Sequence, residues 1–393
     1  MRRNRDFVAL WAGQAVSNLG IGISSFAYPL VVLEATGSTF EAGAVGAVLT
    51  ATAFVLRLPA GVLADRWNRR RILLACDAGR ALNSAGLATA LALGHFWLAQ
   101  VLAVAFVEAA LGVLFGPAES AAVRRVVSRE RAREAVASNA ARSQLPGVLG
   151  PPIGGALFAA ARSLPFVADA ASYAVSLACV ASVRTPLGPE RAAGPPPHPL
   201  RDVAGGLRWI RGHRFLRALL TLFMGFGLTV GALGLVVLVR ARDHGAGPAA
   251  LGAMFTITAV GGALGALATP RLVRAVPRRR LIVLGAWALA VATLAAALVH
   301  DPYALGAVGA VAFSFVGPLN AIAFGVVAAE APDELQGRAT SAAIQVATVT
   351  APLAPLVAGI VLGHVTTTTA LVGYGVASAV LAALATASRS LRD

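Results

Sequence analysis

From Ala42 to Leu63 the chain is apolar at almost every position, with Arg57 its single charge, and from Ile72 to Trp97 only Asp77 and Arg80 interrupt a second apolar run. Such runs recur about every 30 residues, and many exceed the roughly 18 residues that cross a bilayer as a helix. They are continuous, without the period-two alternation of outer-membrane strands, so the pattern predicts helices rather than a barrel. Twelve spans are expected near 7–33, 42–63, 72–94, 97–118, 135–160, 163–183, 215–239, 249–269, 281–299, 302–328, 337–363 and 366–388. The first is too long, and too weakly bounded by a small-residue cleavage site, to read as a removed signal peptide.

Composition agrees with an all-α membrane protein. Of 393 residues 57% are hydrophobic and 13% charged, with a mean hydropathy of +0.74; a soluble chain carries about twice that charge fraction. The net charge of +15 comes from arginine alone, since the chain has no lysine. With the N-terminus inside, 27 arginines fall on the cytoplasmic side, three (Arg162, Arg240, Arg242) outside and three within spans. That bias predicts a multi-pass protein of the cell membrane (inner or plasma) with both termini cytoplasmic, and it explains the basicity better than nucleic-acid binding does. A Walker A loop needs a lysine, so energy inside this polypeptide must come from an ion gradient or the substrate's own gradient; an ATPase partner chain stays formally open. Cys76 and Cys179 fall inside spans and read as packing residues. The six histidines sit in loops or span ends without metal spacing, so no metal, cofactor or enzyme chemistry is expected.

The chain divides near its middle. Residues 1–184 are expected to form one six-helix bundle, 185–214 a cytoplasmic linker and 215–393 a second bundle. The Pro- and Gly-rich stretch after Arg184 is aperiodic. Leu200, Val203, Leu207 and Ile210 then share a helical face within 200–219, as in an amphipathic helix lying on the membrane surface. Gly116-Pro117 matches Gly317-Pro318 at an offset of 201, and Pro151 matches Pro352 at the same offset. Six helices repeated in the same orientation is the parallel-repeat arrangement of two-bundle secondary transporters.

Gly61-x-x-x-Asp65-Arg66-x-x-Arg69-Arg70 resembles the signature loop between helices two and three of the major facilitator superfamily, with Asn68 where the usual pattern has a glycine. Gly147-Val-Leu-Gly150-Pro151-Pro-Ile-Gly154-Gly155 resembles the glycine-proline motif of that superfamily's antiporters, and its prolines should bend or weaken span five. Pro165-Phe166-x-x-Asp169-Ala170-x-Ser172-Tyr173, Gly206-Leu207-Arg208-Trp209-Ile210-Arg211 and Tyr28-Pro29-Leu30-Val31-Val32-Leu33-x-x-Thr36-Gly37-Ser38 are similar to macrolide-efflux and enterobactin-exporter-like members. The resemblance covers the whole chain. It implies that Asp65 lies against the cytoplasmic N-terminus of helix eleven, where the helix dipole favours a carboxylate, and so latches the bundles on that side. Topology control by the arginines is the simpler reading of the same loop.

Charges inside spans are costly and each is a functional hypothesis. Arg57, Asp77, Arg80, Glu119 and Arg142 are read as a cytoplasmic-side ion-pair network supporting the latch. Asp169 either pairs locally with Arg162 or takes part in transport. Glu108 lies roughly ten residues, about 15 Å, from either end of span four; burial there disfavours the charged form, so it is either a proton-coupling group or a structural hydrogen-bond partner of another helix. Gln14, Asn18, Tyr28, Asn83, Asn320 and Gln345 could line a central cavity, or bridge helices. An acid-bearing pocket facing an apolar wall suits a large amphipathic or cationic compound. The expected function is a secondary active, proton-coupled exporter of hydrophobic or amphipathic small molecules (a drug, macrolide or siderophore-like compound), working as a monomer with the lipid bilayer, substrate and protons as partners. An importer or facilitator on the same fold, and a non-transporting receptor or scaffold, are the alternatives.

Overall fold

The computed structural model describes residues 4–127, 138–139, 142–188, 199–332 and 335–391, and every regular element among them is helical. Helices α1 (Arg5–Thr36), α2 (Thr39–Arg66), α3 (Arg69–Ala92), α4 (Leu98–Val126), α5 (Leu145–Ala160) and α6 (Leu164–Ser182) come first. A short α7 (Pro199–Gly212) leads into α8 (Arg214–Asp243), α9 (Pro248–Ala275) and α10 (Arg278–Ala296). The chain continues through α11 (Pro302–Phe313), α12 (Val316–Glu330), α13 (Gln336–Ala347), α14 (Ala354–His364) and α15 (Thr367–Ala387). Among the described residues nine helical segments are long and apolar enough to cross a membrane, with α11 and α12 counting as one. α5 and α14 are apolar but short, and α3 carries Asp77 and Arg80 in its length.

Two expected spans are broken rather than continuous. Span ten divides at Ser314–Phe315, between α11 and α12. Pro318 has no N–H to give the Ser314 carbonyl four residues back, and its ring crowds that carbonyl. Span eleven divides between Ala347 and Ala354, where Pro352 and Pro355 do the same to Thr348 and Ala351. Span five was expected from residue 135; residues 135–137 and 140–141 lie outside the described residues, and helix α5 runs from Leu145, with Pro146 in its first turn, unbroken past Pro151 and Pro152 to Ala160.

The chain forms two compact units: residues 1–37 with 48–197, and residues 38–47 with 198–393. In the first, α1 packs on α5 and α6, and α3 on α4 and α6. Phe7, Leu10, Leu73, Phe115, Val123 and Leu187 belong to its core. In the second, α9 packs on α11, α10 on α15, and α8 on α14 and α15. A linker with an amphipathic helix was expected over 185–214; its helix α7 groups with the second unit, where Ile210 buries with Ala339, Ala342 and Ala343 of α13. The start of α2 goes with the same unit, where Thr39 Oγ1 donates to the Gly359 carbonyl at 3.0 Å.

Candidate functional site

Polar residues at helical spacing bring one face of each of three helices together inside the first unit. On α3 these are Asp77, Arg80 and Ser84; on α6 they are Asp169, Ser172, Tyr173 and Ser176; on α1 they are Gln14, Ser17, Ser24 and Tyr28. All are buried. Such faces are held together in an apolar setting where polar groups find partners on the next helix, as Gln14, Ser84, Ser176 and Tyr173 do here. α1 can come this close to α6 because Gly20 has no side chain; a Cβ there would stand 2.0 Å from Ser172 Oγ and 2.9 Å from Asp169 Oδ1.

Glu108 of α4 sits at the centre. Arg80 Nε donates to Glu108 Oε1 at 2.9 Å, and Arg80 Nη2 forms an ion pair with the same oxygen. Tyr173 donates its hydroxyl to that oxygen at 2.5 Å, and the Arg80 guanidinium lies 4.2 Å from the Tyr173 ring centroid. Glu108 is therefore no isolated carboxyl. It is the counter-ion of a buried arginine, bonded to two other helices.

Asp169 and Asp77 are differently placed. Both are 0% exposed. Ser84 donates to Asp169 Oδ2 at 2.9 Å and Ser176 to Asp77 Oδ2 at 2.7 Å, while Oδ1 of each aspartate has no hydrogen-bond partner. Ser176 also accepts from Gln14 Nε2 at 3.1 Å, which extends the chain of bonds to α1. The phenol of Tyr28, 1% exposed, has no hydrogen-bond partner either, and its ring packs edge-on against Phe166. Asp169 does not pair with Arg162, which instead binds Glu34 at 2.7 Å at an exposed position.

The expected inner network separates into parts. Arg142 Nη2 pairs with Glu119 Oε1 at 2.5 Å, and Arg80 turns to Glu108. Asp77 is held by a serine rather than an arginine, and Arg57 is exposed on α2. Burying a charge is costly unless it is paired or hydrogen-bonded, and each buried acid of this set has a partner within hydrogen-bond reach, an arginine for Glu119 and a serine for Asp77.

The loop residues also find local work. Asn68, at φ −65°, accepts from the Arg71 amide at 3.3 Å and caps α3, so this turn does not require glycine. Arg70 donates to the Ala181 carbonyl at 2.7 Å near the end of α6. Arg69 is buried and Arg66 exposed, and a Cβ on Gly61 would meet nothing within 4 Å. The Asp65 side chain lies outside the described residues, as do the side chains of Leu200 and Val203 and residues 189–198 of the linker.

In α5 the glycines make a close helix contact. A Cβ on Gly150 would lie 2.5 Å from the Gly22 carbonyl carbon, and one on Gly154 2.9 Å from the Ile23 carbonyl oxygen. Gly155 is buried beside them and Gly147 is exposed.

Of the expected cavity residues, Gln14 and Asn83 are helix ties. Asn83 donates to the Val104 carbonyl of α4 at 3.0 Å, and Gln14 binds Ser176. Asn18 and Gln345 are half-buried and Asn320 is exposed. In the sequence Ser172 and Tyr173 figured only as residues of the Pro165–Tyr173 motif, and Ser176 was not singled out; the signal that joins them is their i+3, i+4 and i+7 spacing from Asp169 along α6. Arg240 was placed in an outer loop, yet it is 0% exposed. It binds the carbonyls of Val299 at 2.7 Å and Ala297 at 2.6 Å and the Thr368 hydroxyl at 2.8 Å.

A helical membrane chain with such a buried polar centre is of the transporter class, and sequence comparison places it more narrowly. Residues 2–392 match the family of transmembrane secretion effectors, and the chain belongs to that family of the major facilitator superfamily. It is 28% identical over 374 residues to the multidrug efflux pump Tap of Mycobacterium tuberculosis (strain CDC 1551), covering 91% of this chain and 87% of that one. It is 25% identical over 349 residues to the enterobactin exporter EntS of Escherichia coli O1:K1 / APEC, covering 86% and 80%. In fold it resembles the nucleoside transporter NupG, with a TM-score of 0.76 at 14% identity over 97% of this chain and 99% of the other. A bacterial homologue of the lysosomal transporter Spinster, inward-facing and occupied, gives 0.72 at 15% identity over 97% and 96%. The chain is a multi-pass membrane transporter, not an enzyme.

Proposed function

We propose that this transporter is a proton-coupled exporter of hydrophobic or amphipathic small molecules. In this reading twelve spans form two six-helix bundles, both termini are cytoplasmic, and Asp65 latches the cytoplasmic side. Export is supported by the relatives, a multidrug efflux pump and an enterobactin exporter. Coupling is supported by one observation: of Asp77, Glu108 and Asp169, all buried, only Glu108 pairs with an arginine, Arg80, among the described residues. Arg80 neutralises Glu108. The aspartates are met by serine hydroxyls and lack a cation in hydrogen-bond contact. A carboxylate in that position is costly as an anion, and taking up a proton removes the cost. Asp169 is the proton carrier in this scheme, with Glu108 and Arg80 setting the charge beside it and Ser84 orienting it.

The test is accumulation of dyes, macrolides and siderophores in a pump-deficient host, and then uptake of an identified substrate by proteoliposomes under an imposed proton gradient. Asp169→Asn should abolish gradient-driven accumulation while downhill exchange persists. Uphill transport by Asp169→Asn with the parent's pH profile would rule the assignment out.

A further inference from the structure

In the second unit α7 lies against α13 with almost no space between. A Cβ on Gly206 would stand 2.3 Å from the Arg338 carbonyl oxygen. Beside this seam opens a cavity of about 530 Å³, lined by Ala204, Gly205, Arg208, Trp209, Leu335 and Arg338. Among the described residues both charged groups on its wall are arginines, one from each helix, and both are exposed. The rest of the wall is apolar apart from the indole N–H. Arg211 and Arg214 follow on the same stretch of chain, and the neighbouring acid Glu330 lies 3.7 Å from the His213 ring nitrogen.

The cavity's place along the helices narrows the ligand. α7 ends at Gly212, immediately before α8, which is long and apolar enough to cross a membrane, and Leu335 and Arg338 come just after α12 ends at Glu330. The cavity thus lies where apolar segments give out, the depth at which lipid headgroups sit and tryptophan is favoured. Two guanidinium groups can grip one phosphate through several charged hydrogen bonds. Leu335, Ala204 and the indole face offer a surface for the glycerol and first acyl carbons, which a free inorganic anion would leave unused.

We propose that this cavity binds the headgroup of an anionic phospholipid, with Arg208 and Arg338 on its phosphate. The lipid bridges α7 and α13 and fastens the linker helix to the second unit. The full-length protein in detergent, titrated with phosphatidylglycerol or phosphatidylcholine, tests this by native mass spectrometry and by unfolding temperature. Phosphatidylglycerol should be retained and should raise the unfolding temperature above the phosphatidylcholine value. Arg208→Gln and Arg338→Gln should each weaken retention about fivefold, as befits one arginine at a charged lipid surface. Arg211→Gln, on the same helix but off the cavity wall, should retain parental binding. If one of the two cavity variants fails to fold, the other decides. Equal weakening by Arg211→Gln would mean diffuse surface attraction and overturn the site. A matching temperature rise with inorganic phosphate alone would overturn the lipid assignment.

Discussion

Arg80 and Glu108 illustrate how unequal the two halves of a buried ion pair become once one is removed. Each is less than a tenth exposed, and they meet at 2.9 Å through Nε. Removing one partner strands the other charge, which costs about 3–5 kcal/mol, whereas replacing both by neutral groups of similar shape is often near neutral. Glu108→Gln should therefore lower the unfolding temperature of the detergent-purified protein sharply, and Arg80→Gln should do the same. The double variant should recover most of the loss, although transport stays impaired. Additive losses in the double variant would show that the pair does not act as one unit. Glu108 was legible in the sequence as a mid-span acid, but its partner was not. Arg80 lies 28 residues earlier on another helix, and only packing decides which helices face each other.

At the scale of elements, two contacts set how helices approach. Gly150 of α5 meets Gly22 of α1 with no room for a side chain. Gly150→Val should destabilise the protein by about 1–3 kcal/mol through overpacking, measured as reduced thermal stability and expression. Gly61→Ala, in open space, should leave stability unchanged. Arg240 joins α8 to the end of α10 through the Ala297 and Val299 carbonyls and to α15 through Thr368. Arg240→Met removes charged hydrogen bonds and leaves buried carbonyls without their donor, at a cost of about 1.5–3 kcal/mol. The same thermal assay checks it; a change below about 0.5 kcal/mol, the usual range for an unengaged surface residue, would show that the clamp carries no stability. The glycine-proline motif of α5 was readable in the sequence, though as a source of bending rather than as a surface for close contact. Pro146 sits in the first turn of α5, where proline is compatible with helix geometry, and the helix runs unbroken past Pro151 and Pro152.

For the whole molecule, the arginine distribution makes a prediction that the helices alone do not. In the proposed topology 27 arginines lie on the cytoplasmic side and three outside, so Arg70→Cys should resist a membrane-impermeant thiol reagent added to intact cells, and Arg242→Cys should react. Both are read in a background without Cys76 and Cys179. The reverse pattern would invert the proposed orientation and with it the direction assigned to transport.

The sequence alone determined the class of this protein. Long apolar runs, arginine bias and the Gly61–Arg70 and Gly147–Gly155 motifs are local or cumulative properties of the chain, and a bilayer acts on them segment by segment. The expected polar candidates were also largely the buried ones, because a charge or amide in an apolar run needs a reason wherever it ends up. Tertiary structure decided which groups answer one another. It gave Arg80 to Glu108, Arg142 to Glu119, Asp77 and Asp169 to serines, and Gln14 and Asn83 to neighbouring helices rather than to a cavity. It also drew Arg240 inside and laid α7 along α13. These outcomes depend on how each helix is rotated about its axis and which neighbours it meets. That choice is made by close packing and hydrogen-bond satisfaction among residues tens to hundreds of positions apart, which no single apolar run encodes.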